Sequence, residues 1–173
     1  MLSCSANIYR PTCEDFGNFI RCEYVSVKKD GSQSKPVHSI TPRVVECDPR
    51  VRNRVQRHID DRSGSFRICE LVGKPGFATW QPRQLFVTPS QITFRSIACA
   101  TAPPSFTSYP LSSQSNASLY EADDKRTIVT LHPGLVLHLS SETSLKRDVL
   151  VMLLRHWMYV MFPYDYSFWG DYI

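Results

Sequence analysis

TIVTLHPGLVLHLSSETSLKRDVLVMLLRHWMYV, residues 127–160, carries two hydrophobic periods in one run, and the point where one gives way to the other decides the fold class. Thr127 to Leu131 is β-branched and apolar, His132-Pro133-Gly134 is a turn signal, and Leu135, Leu137 and Leu139 then fall on one face of an extended segment. This predicts a hairpin or a bent strand. Beyond Ser140 the period lengthens: Leu145, Val149, Met152, Leu153, His156 and Val160 form a wide apolar stripe at helical spacing. Ser141 or Ser144 can cap this helix, Glu142 suits its positive end, and Pro163 stops it. Short strands running into one long apolar helix define an α+β domain built on an antiparallel sheet, with a long C-terminal core helix.

Upstream, Asp48 can cap a second, short helix whose first position is Pro49, where a missing N–H costs nothing, and Val51, Val55 and Ile59 recur every fourth residue before Gly64 ends it. Between the helices, Ser65 to Val72, Phe77 to Trp80, Leu85 to Val87 and Ile92 to Ala100 read as short strands, separated by Gly73-Lys74-Pro75-Gly76, Pro82 and Pro89. Before the short helix, Phe19 to Lys28 reads as a strand ending at the Lys29-Asp30-Gly31 turn, and Val37 to Val45 as an extended piece broken by Pro42. A single domain over residues 1–173 is the expectation. Residues 102–118, rich in Pro, Ser and Thr, read as a mobile loop, and residues 163–173 as an aromatic tail.

The charge balance, 20 Lys+Arg against 16 Asp+Glu, is mild, but it is unevenly placed. Arg50, Arg52, Arg54 and Arg57 crowd one short helix, and guanidinium groups suit phosphate through forked hydrogen bonds. These four are the candidate anion-binding residues, for nucleic acid or an anionic membrane surface. The favoured reading of these arginines by themselves is the solvated side of an amphipathic helix, partly neutralised by Asp48, Asp60 and Asp61. Tyr109 and Pro110 in the loop, and Tyr164, Tyr166, Phe168 and Trp169 in the tail, are candidates for partner or self-association contacts. Asp165 and Asp171 among the tail rings disfavour phosphate there, so packing on the chain itself or on another protein is the expectation.

Six cysteines occur without a CxxC pair or a nearby histidine, which excludes a zinc site by spacing and leaves small buried thiols as the reading. With no secretory signal and no apolar run near the roughly 20 residues that span a bilayer, an intracellular, non-secreted, non-transmembrane protein is expected. Glycine-rich phosphate loops, serine-hydrolase elbows and His-based metal motifs are all missing, so binding and assembly is favoured over catalysis, with no cofactor and no metal. A cysteine hydrolase assembled only by folding, from the six thiols and His38, His58, His132, His138 and His156, stays open.

From Thr127 to Trp157, the order of strand, Pro-Gly turn, alternating strand, Ser140-Ser141-Glu142 break and amphipathic helix ending in Arg155-His156-Trp157 resembles the C-terminal part of rhabdovirus matrix proteins. The strand, turn and helix order of Phe19 to Asp61 is similar to the start of that fold, and the length suits the short members from plant-infecting viruses. The chain departs from the family in lacking a Lys-rich first segment, where it carries only Arg10. The resemblance implies a structural protein of host cytoplasm and virion that forms homo-oligomers, condenses ribonucleoprotein or RNA and links it to a membrane. The alternative expectation is a small RNA-binding or host-interaction protein, such as a viral suppressor of host defence, using the same basic helix without ordered assembly.

Overall fold

A computed structural model describes residues 9, 11–74, 76–97, 104–120 and 122–162. They divide into two compact units, one up to Cys47 and one from Asp48 onward, where the sequence predicts one domain. The reason lies in pairing. Strands β1 (Arg21–Tyr24) and β2 (Val37–Ile40) bond only to each other, in an exposed two-stranded ladder. Both are shorter than the sequence predicts. The predicted Asp30-Gly31 turn is present: Asp30 Oδ1 accepts from the Ser32 amide at 2.9 Å, and Gly31 adopts φ +82°, which suits a residue without a Cβ.

The second unit opens with helix α1 (Pro49–Asp60), and both predicted signals at its start are used: the Asp48 side chain accepts from the Arg50 amide and Pro49 takes the first turn. Seven antiparallel strands follow: β3 (Gly64–Val72), β4 (Thr79–Val87), β5 (Gln91–Ser96), β6 (Phe106–Pro110), β7 (Asn116–Leu119), β8 (Arg126–His132) and β9 (Leu135–Ser141), and then helix α2 (Ser144–Met161). The sheet order is β6-β5-β4-β3-β9-β8-β7. Two consecutive meanders are thus sewn together by one long-range seam, the three pairs Ile68–Ser141, Cys69–Ser140 and Glu70–Leu139 between β3 and β9.

The α+β class, the antiparallel sheet, the short basic helix and the long C-terminal helix all stand as the sequence predicts. Details differ. Pro82 does not divide β4, because the ladder to β5 begins only at Arg83 and Pro82 therefore lies where β4 is an edge, a position that tolerates a missing donor. Phe77, read as a strand residue, lies in the β3–β4 turn and is 86% exposed. The cap of α2 is Thr143, whose Oγ1 accepts from the Lys146 amide at 3.2 Å, whereas Ser141 still belongs to β9.

Residues 102–118 were expected to form a mobile loop, but Phe106–Pro110 and Asn116–Leu119 are strands at the two edges of the sheet. The Ser and Thr content that suggested a loop instead supplies bonds: Thr93 and Ser108 hydroxyls meet at 2.9 Å, and Ser115 Oγ donates to the Leu131 carbonyl at 2.9 Å.

The core lies between the sheet and α2. Leu85, Val87, Ile92, Val129, Leu131 and Leu139 come from the sheet, and Leu150, Leu153, Leu154 and Met158 from the helix, all fully buried. At about 25 cal/mol per Å² of apolar surface removed from water, burying side chains of this size is the main source of stability. α2 also packs against α1, so it buries more than one side, and the predicted stripe is only partly the buried one: Val149 and Leu153 are inside, whereas Val160 is 55% exposed. Arg155 fastens the helix to the sheet edge, its Nε donating to the Ala117 carbonyl at 2.8 Å.

Candidate functional site

Val51 and Val55 turn one side of α1 into the core, which leaves the arginines outside. At 3.6 residues per turn, Arg50, Arg54 and Arg57 share one stripe, and Arg52 falls on the far flank. All four are exposed. They are not equivalent, because Asp48 grips Arg50 in a two-pronged pair, with Nη2 to Oδ2 at 2.7 Å and Nε to Oδ1 at 3.2 Å. The hydrogen bonds from Arg50 hold the Asp48 carboxyl below the usual range. Asp60 is bonded by Gln56 Nε2 at 2.8 Å. Among the described residues, Arg52, Arg54 and Arg57 form no ion pair.

The proposed partner contacts fare differently. Tyr109 is half-buried in the edge strand β6, where its ring lies edge-on to Phe94 with centroids 6.0 Å apart. Pro110 is exposed at the end of that edge strand. Tyr164, Tyr166, Phe168 and Trp169 lie outside the described residues.

Of the six cysteines, four are described: Cys13 is the small buried thiol expected, Cys47 and Cys69 are only partly buried, and Cys22 is exposed. His58 and His132 each place Nδ1 against a backbone carbonyl, of Ser63 at 3.2 Å and Pro133 at 3.0 Å, and His38 sits between Arg21 and Glu23. Among the described residues, no group of three or more His, Cys, Asp or Glu could hold a metal ion.

A second basic surface, missed by the sequence analysis, lies on the outer face of β3 to β6. The ladder pairs Arg67 with Gln84, Gln84 with Arg95, and Arg95 with Phe106, making one row across four strands. The neighbouring row is Ser65, Phe86, Thr93 and Ser108. Buried Phe66, Ile68, Leu85, Ile92 and Phe94 occupy the intervening positions on the other face. Arg67, Gln84, Phe86, Arg95, Ser96 and Ile97 line a concavity of about 510 Å³. The alternation of exposed and buried positions in β3 and β5 was readable in the sequence. The register that brings two arginines from separate strands into one row was not.

The fold and its surfaces define an α+β protein with an antiparallel sheet backed by a C-terminal helix and two exposed basic surfaces. No protein-family model and no curated protein sequence matches the chain. Among solved structures it is similar to the N-terminal PH domain of human ARAP2, at 14% identity and TM-score 0.47 over 58% of this chain and 83% of that one. It is also similar to the PH domain of human oxysterol-binding protein-related protein 11, at 13% identity and TM-score 0.47 over 57% of this chain and 81% of that one. A third similar structure is the human PH domain of TBC1 domain family member 2, at 19% identity and TM-score 0.44, covering 59% and 85% of the two chains. Among the described residues, no helix is long and apolar enough to cross a membrane.

Proposed function

We propose that this chain is a non-enzymatic assembly protein of the viral matrix type, which self-associates and bridges a ribonucleoprotein to an anionic membrane surface. The observation that carries the reading is the arginine surface of α1: Arg52, Arg54 and Arg57 are exposed without an ion-pair partner among the described residues, on a helix whose apolar side is fixed in the core. Such a helix fixes the backbone positions from which the charges project, although each guanidinium still gives up rotamer freedom when it binds. Guanidinium forks donate to the phosphates of RNA and of lipid headgroups with the same geometry, which is what a bridging protein requires. Val160 and Met161, exposed at the end of α2, offer apolar surface for contact between copies.

Light scattering after size exclusion, over a range of protein and salt concentration, tests the assembly half, and flotation with vesicles tests the electrostatic half. Salt-sensitive multimers without RNA, and co-flotation with anionic but not neutral vesicles, are expected. The triple variant Arg52→Glu, Arg54→Glu, Arg57→Glu should lose the vesicles. A monomer at every concentration would sink the assembly role, and unchanged flotation of the triple variant would sink the role of α1.

The outer-face row of two arginines favours a second reading, an RNA-binding or host-interaction protein that works without ordered self-assembly. A monomer that shifts only when RNA is added is its signature.

A further inference from the structure

We infer that the outer face of strands β3 to β6 is a binding platform for single-stranded RNA, distinct from the arginine surface of α1. The inference rests on the proposed function only in the choice of nucleic acid. Its chemistry is set by what the register places side by side. Neighbouring strands lie roughly 4.8 Å apart, so Arg67 and Arg95, two strands apart, flank Gln84 at a separation of about 10 Å. Both guanidiniums are exposed, and neither forms an ion pair among the described residues. Glu142, the carboxylate that Arg67 influences electrostatically, is already engaged by Lys146. The concavity between the two arginines is lined by no acid.

Charge alone would suit any polyanion; the rings narrow the choice. Phe106 is 62% exposed beside Arg95, whose guanidinium carbon sits 5.7 Å from the ring centroid, and Phe86 is half-exposed in the adjoining row. Aromatic rings and guanidinium planes side by side are the surfaces on which unpaired bases stack, whereas the base faces of a duplex are already covered. An acidic peptide would use the arginines but leave Phe86, Phe106 and the 51%-exposed Ile97 in water. Gln84 Nε2 donates to Ser65 Oγ at 2.6 Å, which leaves the amide oxygen as an acceptor for base amino groups, and the Thr93–Ser108 hydroxyl pair supplies donors and acceptors for a ribose 2′-OH.

Fluorescence anisotropy of the full chain tests this with labelled ten-nucleotide oligo(U), oligo(dT) of equal length, a duplex RNA and poly-glutamate. Oligo(U) should bind more tightly than the other three. Arg67→Ala with Arg95→Ala should weaken it at least tenfold and lower the slope of log K against log salt by roughly 1.4, two phosphates at about 0.7 each for single strands. Phe106→Ser should weaken it by about tenfold with the salt slope unchanged, a separation that a merely structural role would not produce. All three positions are exposed or half-exposed, and circular dichroism checks that the variants stay folded. Equal binding of oligo(dT), stronger binding of duplex or poly-glutamate, or normal oligo(U) binding by the platform variants would each overturn the inference. If the α1 triple variant alone abolishes RNA binding while assembly persists, the platform fails and the proposed function stands. Loss of vesicle binding and assembly with intact platform binding is the converse.

Discussion

Arg147 and Asp148 are the residues whose chemistry is least expected from their neighbours. They sit side by side in α2, 3% and 8% exposed, joined by Nη2 to Oδ1 at 2.7 Å and Nε to Oδ1 at 2.9 Å. Each ion helps to offset the cost of burying the other. Asp148→Ala should therefore cost about 3–5 kcal/mol of stability, read as a shift of the urea midpoint, while a matched apolar pair should cost much less. His156 is half-buried on the same helix, and burial pushes its pKa below the ordinary 6.5. The folded chain then resists taking up a proton that the unfolded chain accepts. Stability falls as pH drops through 6.5 and levels off once the folded-state pKa is passed. His156→Gln should flatten the stability profile between pH 7 and pH 5, measured by denaturant midpoints.

Among the elements, α1 and β3 show how tightly the short pieces are fitted. A Cβ added at Gly64 would lie 2.8 Å from Leu153 Cδ2 and 2.8 Å from Phe66 Cε2, so β3 begins where α2 leaves no room. Gly64→Ala should cost about 1–3 kcal/mol, although alanine has no difficulty in a strand, and a thermal melt checks it. Asp48 both caps α1 and ties down Arg50. Asp48→Ala should lower stability by about 1 kcal/mol through the lost cap. It should at the same time raise affinity for anionic vesicles by freeing a fourth guanidinium. A purely structural role for the arginines predicts the first change without the second, and melting and flotation on one preparation separate them.

At the scale of the molecule, the two meanders are held by the short β3–β9 seam, by the helix across the core and by Arg155 reaching Ala117. The two basic surfaces lie on separate elements of the second unit. A variant reversed at both should lose more salt-dependence in RNA binding than either alone, with contributions that add if the sites are independent, as anisotropy over a salt series will show.

The sequence by itself determined the two helices and the β8–β9 hairpin. Asp48, Pro49 and the Val51–Val55 spacing are a complete local statement of α1, and His132-Pro133-Gly134 between two alternating runs is one of the β8–β9 hairpin, because caps, turns and periods depend on residues a few positions apart. Tertiary structure decided which strands meet and which surfaces result. The pairing of β3 with β9 spans some seventy residues, and residues 106–110 and 116–119 become strands only because β5 and β8 offer them ladders. The coming together of Arg67, Gln84 and Arg95 likewise depends on register between strands, set by packing against the buried face and absent from any local pattern.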